Sequence, residues 1–327
     1  MKKLISILLA VLMFVPLAAC ESDKAQEEGK SEATADVESA EQTETETISA
    51  ETDIADGTGG EDTEDPIDEG LFNITLEETV VVDNEECLIK ILGAEYNEYF
   101  GFSMKVEIEN KSADKNYHFD IIPAAINGIH VSASISNTLS PGRKSTKSID
   151  FITDDLDKLG IEYYSEVMLN FIVYDWDSYD NEYIVDEAVT VYPYGEENAV
   201  RYEREDVEND IPLTDNENFE ASVLGFEYDE ESGSYNVQMY VKNKSDVTLV
   251  FMAKDVYLNG KYFEIGYSEI IEPGIISFTP MCWLSKYLQN SNIDPQAIGE
   301  IKFRLVAYDV DDMRGDGIYS ESFTLNP

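Results

Sequence analysis

The sequence predicts an all-β protein, two tandem antiparallel β-sandwiches behind an export signal and an acidic linker, and three observations carry that prediction. Apolar side chains recur at every second position in several segments, the period of a half-buried strand. Asn-Gly and Pro-Gly dipeptides fall between those segments, where chain reversals need a positive or a preset φ. The whole pattern then occurs twice. Asp83-Asn84-Glu85 recurs as Asp215-Asn216-Glu217, Leu92-Gly93-Ala94-Glu95-Tyr96 as Leu224-Gly225-Phe226-Glu227-Tyr228, and Asn110-Lys111-Ser112 as Asn243-Lys244-Ser245. Further on, Ile126-Asn127-Gly128 meets Leu258-Asn259-Gly260, Pro141-Gly142 meets Pro273-Gly274, and Tyr174-Asp175-Trp176-Asp177 meets Tyr308-Asp309-Val310-Asp311. The offset is 132 residues at Asp83 and 134 at Tyr174, and collinear matches with so little drift are a duplicated module. Regularly spaced strands with little helix in each copy are what an antiparallel sandwich requires.

Residues 1–19 read as a signal peptide. Met1-Lys2-Lys3 is a short basic head, and the apolar run from Leu4 to Ala19, broken by Ser6 and Pro16, is shorter than the roughly 20 residues a bilayer span needs. Leu17-Ala18-Ala19-Cys20 sets small residues directly before a cysteine, and this block resembles a bacterial lipoprotein lipobox. The resemblance implies diacylglyceryl transfer to the Cys20 thiol, cleavage after Ala19, and Cys20 as the acylated (palmitate-type) mature N-terminus. The expected location is the extracytoplasmic face of the bacterial cell membrane, held by the lipid on Cys20, with each buried methylene adding roughly 0.8 kcal/mol. Residues 20–70 then form a disordered acidic linker. From Glu21 to Gly70 there is no aromatic side chain, and the few apolar ones, such as Val37 and Ile48, are isolated, so no core can form. About 50 flexible residues span roughly 40 Å, and like-charge repulsion extends that reach.

The first copy occupies residues 71–195. Val80-Val81-Val82 and Leu88-Ile89-Lys90-Ile91 open it as strands; Phe102, Met104, Val106 and Ile108 alternate with Ser103, Lys105, Glu107 and Glu109; Val167, Leu169, Phe171 and Val173 form another alternating strand near its end. One short helical turn is expected at Asp154–Leu159. Residues 196–211, charged and following Gly195, are the connector. The second copy, 212–327, repeats the strands at Tyr235-x-Val237-x-Met239-x-Val241 and Ile301-x-Phe303-x-Leu305-x-Ala307, with Leu284–Leu288 as the counterpart helical turn. The order Asp-Asn-Glu, Asn-Lys-Ser, Asn-Gly, Pro-Gly, an Asp-Leu turn before Gly160-Ile161, then Tyr-Asp-x-Asp resembles the immunoglobulin-like module of uncharacterised Gram-positive, clostridial-type surface lipoproteins. That resemblance covers both copies and implies an immunoglobulin-like fold and a surface location, with no catalytic residue to carry over. The second copy departs from it where Gly160-Ile161 becomes Asn292-Ile293 and Trp176 becomes Val310.

Charge excludes whole classes of function. With 68 acids against 22 bases, a formal net charge of -46, the chain has no basic footprint for nucleic acid or for an anionic lipid surface. Two histidines and three cysteines leave little for catalysis, and no HExxH, GxSxG, P-loop or dinucleotide fingerprint is present. No catalytic, cofactor-binding or metal-binding residue is assigned, and the protein is expected not to be an enzyme. His118 and His130 lie on or beside strands without metal spacing. Asp175, Asp177, Asp180 and Glu182, and Asp309, Asp311, Asp312 and Asp316, cluster at strand ends as candidate calcium loops, although Tyr179 and Met313 spoil the EF-hand pattern. Arg314-Gly315-Asp316 spells an integrin-type tripeptide of a length that arises by chance. Cys87 and Cys282 fall at non-equivalent positions, so two separate buried thiols are expected. The 20 tyrosines belong mostly to strand cores, with an exposed aromatic strip for glycan or peptide as the functional alternative. The sequence therefore points to a membrane-anchored lipoprotein displaying two binding or adhesion modules to a protein or glycan partner. The alternative is a non-binding spacer or an accessory subunit of an envelope complex.

Overall fold

The alternating segments fold as strands, and both copies use the same elements in the same order. The computed structural model describes residues 74–97, 101–178, 182–205, 209–264, 267–315 and 317–327. The signal peptide, Cys20 and the acidic linker lie outside these residues, as do Tyr179, Asp180 and Asp316. The protein is all-β. In the first copy the elements are β1 (Thr79–Asp83), β2 (Cys87–Asn97), β3 (Gly101–Asn110), β4 (Tyr117–Ile126), β5 (Ile129–Ser134), β6 (Asn137–Leu139), β7 (Lys144–Ile152), α1 (Asp154–Lys158), β8 (Val167–Asp175) and β9 (Tyr183–Val191). The second copy follows with β10 (Ile211–Asp215), β11 (Phe219–Tyr228), β12 (Tyr235–Asn243), β13 (Leu249–Leu258), β14 (Lys261–Phe263), β15 (Ser268–Ile271), β16 (Ile276–Ser277), β17 (Met281–Trp283), α2 (Ser285–Asn290), β18 (Ile301–Asp309) and β19 (Tyr319–Leu325). Both short helices stand where the sequence places them. No helix among the described residues is long and apolar enough to cross a membrane.

Pairing follows one plan in both copies except at β5, which pairs β7 as well as β4, whereas its counterpart β14 pairs β13. β1-β2-β3-β7 run side by side, and β4 pairs β5, β6 and β8, with β9 beyond β8. In the second copy β10-β11-β12 continues to β16 and β17, while β13 pairs β14, β15 and β18, with β19 beyond β18. The inward side chains of each pair of layers gather into one cluster. Ile89, Ile91, Met104 and Val106 of β2 and β3 meet Phe119, Leu169 and Phe171 of β4 and β8, and Val223, Val237 and Met239 meet Phe251, Phe303 and Leu305 in the second copy. The strand that β7 makes in one piece is split into β16 and β17, with Pro280, which has no N–H to give a ladder, lying between them.

The repeated motifs are the fasteners of this plan. Asn84 accepts the backbone N–H of Glu86 and Cys87, as Asn216 accepts those of Asn218 and Phe219. Asp83 pairs with Lys111 and Asp215 with Lys244, joining Asp-Asn-Glu to Asn-Lys-Ser in each copy. Asn110 is fully buried and donates to the carbonyls of Lys115 and Leu139, both at 2.8 Å; Asn243 does the same to Val247 and Ile271 at 2.8 Å. At the Asn-Gly reversals both residues take positive φ, 51° and 82° at Asn127-Gly128 and 48° and 77° at Asn259-Gly260, the two-residue hairpin of type I′. The asparagine is chosen over glycine for its amide: Asn127 accepts from Ser165 and Glu166 and donates to Tyr163, while Asn259 accepts from Gly299 and Glu300 and donates to Ala297. Gly160 and Asn292 both end a helix in the left-handed region, at 68° and 48°, with the next amide returning to Leu156 or Leu288 at 2.9 Å. The change from Gly160 to Asn292 between the copies therefore keeps the backbone.

The copies are joined through more than the connector. β16 pairs in parallel with β5 at Ile276 and Ile129, and the Ile276 amide donates to Gly128 at 2.9 Å. Ala125 and Met168 of the first copy sit in the second copy's cluster, and Phe278 of the second packs against the first, edge-on to Tyr202 of the connector. Arg201 holds buried Glu166 at 2.7 Å, and Arg204 lies over the Tyr240 ring while pairing with Asp210. The junction also buries a side chain that alternation turns outward from β8, since Met168 is covered by the other copy.

Candidate functional site

Across the outer face of β6, β4, β8 and β9 the register lines up one row of side chains: Thr138, His118, Tyr174 and Tyr183 are successive cross-strand partners. The inward neighbours Tyr117, Phe119 and Val173 go to the core, so strand alternation forces this row outward. His118 is pinned in place, its Nδ1 at 2.8 Å from the Thr138 hydroxyl and its Nε2 at 3.9 Å from Asp120. Trp176, just past β8, is hung by its backbone amide on the Asn116 carbonyl at 2.9 Å, and its indole lies on the His118 ring with centroids 4.8 Å apart and planes 28° apart. Tyr174 completes the group at 5.1 Å from His118 and 6.2 Å from Trp176, and Tyr183 stands 6.3 Å beyond Tyr174. His118 is buried while Trp176 keeps 50% of its surface exposed. The result is an indole with one face supported by protein and the other open to solvent, an arrangement suited to stacking.

The surroundings are acidic. Burial and then the nearby Asp120 raise the Tyr174 hydroxyl above its ordinary pKa, and burial, Asp186, Tyr174 and Asp120 together raise Tyr183 further. Asp175 and Asp177 flank the indole in sequence. Asp175 accepts the Asp177 amide at 3.2 Å and lies 3.6 Å from Lys115, while Asp177 accepts from the Asn116 side chain at 2.7 Å. The candidate calcium loops are thus turn-forming aspartates on the residues described, and Asp309 likewise accepts the Asp311 amide at 2.9 Å. Among the described residues no three acids, histidines or cysteines come together to hold a metal ion.

The equivalent face of the second copy is built differently. Val250, Val306 and Tyr308 replace His118, Ile172 and Tyr174, and they form a small apolar cluster with Met252, Ile270, Val310 and Met313. Val306 is fully buried there because the chain after β18 folds back on it, with Gly317 so close that a Cβ would meet the Ala307 carbonyl at 2.8 Å. Of the Arg-Gly-Asp string, Arg314 and Gly315 are exposed in this segment, and Asp316 lies outside the described residues.

His130, unremarkable in the sequence, meets Glu269 of the second copy at 3.6 Å across the junction. Glu269 is buried and accepts from Thr279 at 3.0 Å and Ser277 at 3.5 Å. Burial pushes its carboxyl up to about 7, and burial pushes His130 down to about 4. Sequence reading missed this pair because its members come from different copies and only the β5–β16 contact unites them. Cys87 and Cys282 are not bridged to each other; Cys87 is buried, with its thiol pushed up to about 11 by desolvation, and Cys282 is half-buried.

No protein-family model matches the sequence, and no curated protein matches it. Among solved structures, that of red sea bream transglutaminase aligns over 76% of this chain and 31% of its own, at 11% identity and a TM-score of 0.19. So slight a likeness bears on neither fold nor activity.

Proposed function

We propose that this chain is a non-enzymatic surface lipoprotein. In this reading it is anchored through Cys20 to the extracytoplasmic face of a bacterial membrane, and the acidic linker of residues 20–70 carries two tandem immunoglobulin-like β-sandwiches, the first of which binds a partner. The single observation that carries the binding role is the half-exposed Trp176 stacked on His118. An indole held open on a supported ring, beside a second copy whose equivalent face is covered by its own chain, is surface kept available for contact.

The test has two arms. Cys20→Ala is expected to release the protein from the membrane fraction, and retention after a salt wash would reject the anchor. Trp176→Leu is expected to abolish adhesion of cells displaying the protein to envelope or matrix components without lowering its surface level, and unchanged adhesion would reject the binding face. The second reading, a spacer or accessory subunit, is favoured by the junction through Ile129, Ile276 and the shared core residues Ala125 and Met168. It predicts that Trp176→Leu changes nothing while loss of the junction does.

A further inference from the structure

The second copy shows what its own tyrosine receives. Lys254 sits with its ammonium 4.7 Å from the centre of the Tyr308 ring and donates to the Tyr308 hydroxyl at 2.6 Å. Tyr308 is the counterpart of Tyr174, and the counterpart of Lys254 on β4 is Ile122, at the repeat offset. The first copy thus keeps the ring, adds the exposed indole of Trp176, and lacks the ammonium.

Hydrogen-bonding capacity points the same way. Both side-chain amides at the rim are engaged by the face's own acceptors: Asn116 gives to Asp177 at 2.7 Å, and Asn170 gives to Asp186 and to the Ile122 carbonyl at 2.9 Å. The exposed carboxylate of Asp177 leaves further acceptor capacity beside the indole, and Lys and Arg side chains are donors only. An indole is also the best ring for a cation, and the exposed carboxylate of Asp177, next to Trp176 in the chain, supplies charge that Lys115, paired with Asp175, does not cancel. We propose that the aromatic face of the first copy takes a lysine or arginine side chain from a basic partner segment, seated on the open side of Trp176 with Asp177 as counter-charge. This rests on the reading of that face as the binding surface.

The chain reports on itself, because Trp176 is 50% exposed and Trp283, the other tryptophan, is 1% exposed. The full chain is titrated with an alternating Gly-Lys peptide and with the same peptide acetylated on every lysine, following tryptophan emission and heat. The free-lysine peptide is expected to shift the Trp176 emission saturably, and the acetylated one to bind at least about ten-fold more weakly. Trp176→Leu and Asp177→Asn are each expected to lose roughly ten-fold by calorimetry, while Glu231→Gln, which removes an exposed acid of the second copy, leaves the affinity unchanged. Equal binding of the acetylated peptide, or a loss in Trp176→Leu no larger than in Glu231→Gln, overturns the proposal by showing diffuse attraction to an acidic surface. Trp176-dependent binding of a neutral hexasaccharide, without that of the lysine peptide, overturns the cation and leaves the face as a binding surface. Failure of that broader reading shows separately, as adhesion indifferent to Trp176→Leu.

Discussion

Asn110 and Asp83 stand in motifs of equal prominence in the sequence, yet their burial assigns them different energies. Asn110 is sealed inside and satisfies two carbonyls, so Asn110→Ala leaves Lys115 and Leu139 oxygens with a lost donor and should destabilise by about 2–4 kcal/mol. Asp83 is 62% exposed in its ion pair with Lys111, and Asp83→Ala should cost no more than about 1 kcal/mol. Urea unfolding of the two variants checks this, and equal losses would refute it. The motifs were legible because each works locally: an Asx turn at Asn84, a hairpin at Asn127-Gly128, a buried amide at Asn110. Their repetition marked structure and not chemistry. Trp176 was read only as part of the Tyr-Asp-x-Asp motif from which the second copy departs at Val310, and its stacking depends on His118, which is distant in sequence and brought under it by the β4–β8 register.

At the scale of elements, alternation gave the strands and their inward faces, since a period of two needs no partner to be read. What covers the outward faces was not legible, because it depends on which loop folds back. In the second copy the cover is the turn before β19, where Gly317 has φ 82° and the Ile318 amide donates to Ala307 at 2.9 Å. Gly317→Ala combines positive-φ strain with a Cβ pressed to 2.8 Å of the Ala307 carbonyl and should destabilise by about 2–4 kcal/mol. Gly142→Ala, at φ 66° with open space around it, carries the strain alone and should cost about 1 kcal/mol. Thermal unfolding separates them, and a Gly317→Ala protein as stable as Gly142→Ala would mean that the turn does not clamp the Val250, Val306 and Tyr308 cluster.

Over the whole molecule, the duplication was legible but the joint between copies was not, for it rests on one parallel pair and on side chains exchanged between cores. Burial of His130 and Glu269 at that joint makes it sensitive to protons. Glu269 is raised from 4.5 to about 7, so its contribution is complete below pH 4.5 and is lost as pH rises through 7. His130 is lowered from 6.5 to about 4, so its contribution is complete above pH 6.5 and is lost as pH falls through 4. Between pH 4.5 and 6.5 the unfolded chain holds the proton on the histidine and the folded chain holds it on the glutamate, so the two linkages cancel. Glu272, also raised to about 7 by burial, adds a fall in stability with rising pH that is common to wild type and both variants. Single substitutions uncover the opposing slopes. Relative to wild type, Glu269→Gln should gain stability as pH rises from 4.5 to 7, and His130→Asn should gain as it falls from 6.5 to 4, each by on the order of 1–3 kcal/mol. Denaturant midpoints at half-unit pH steps measure both differences, and two flat profiles would show that the pair is solvated and that the junction opens to water.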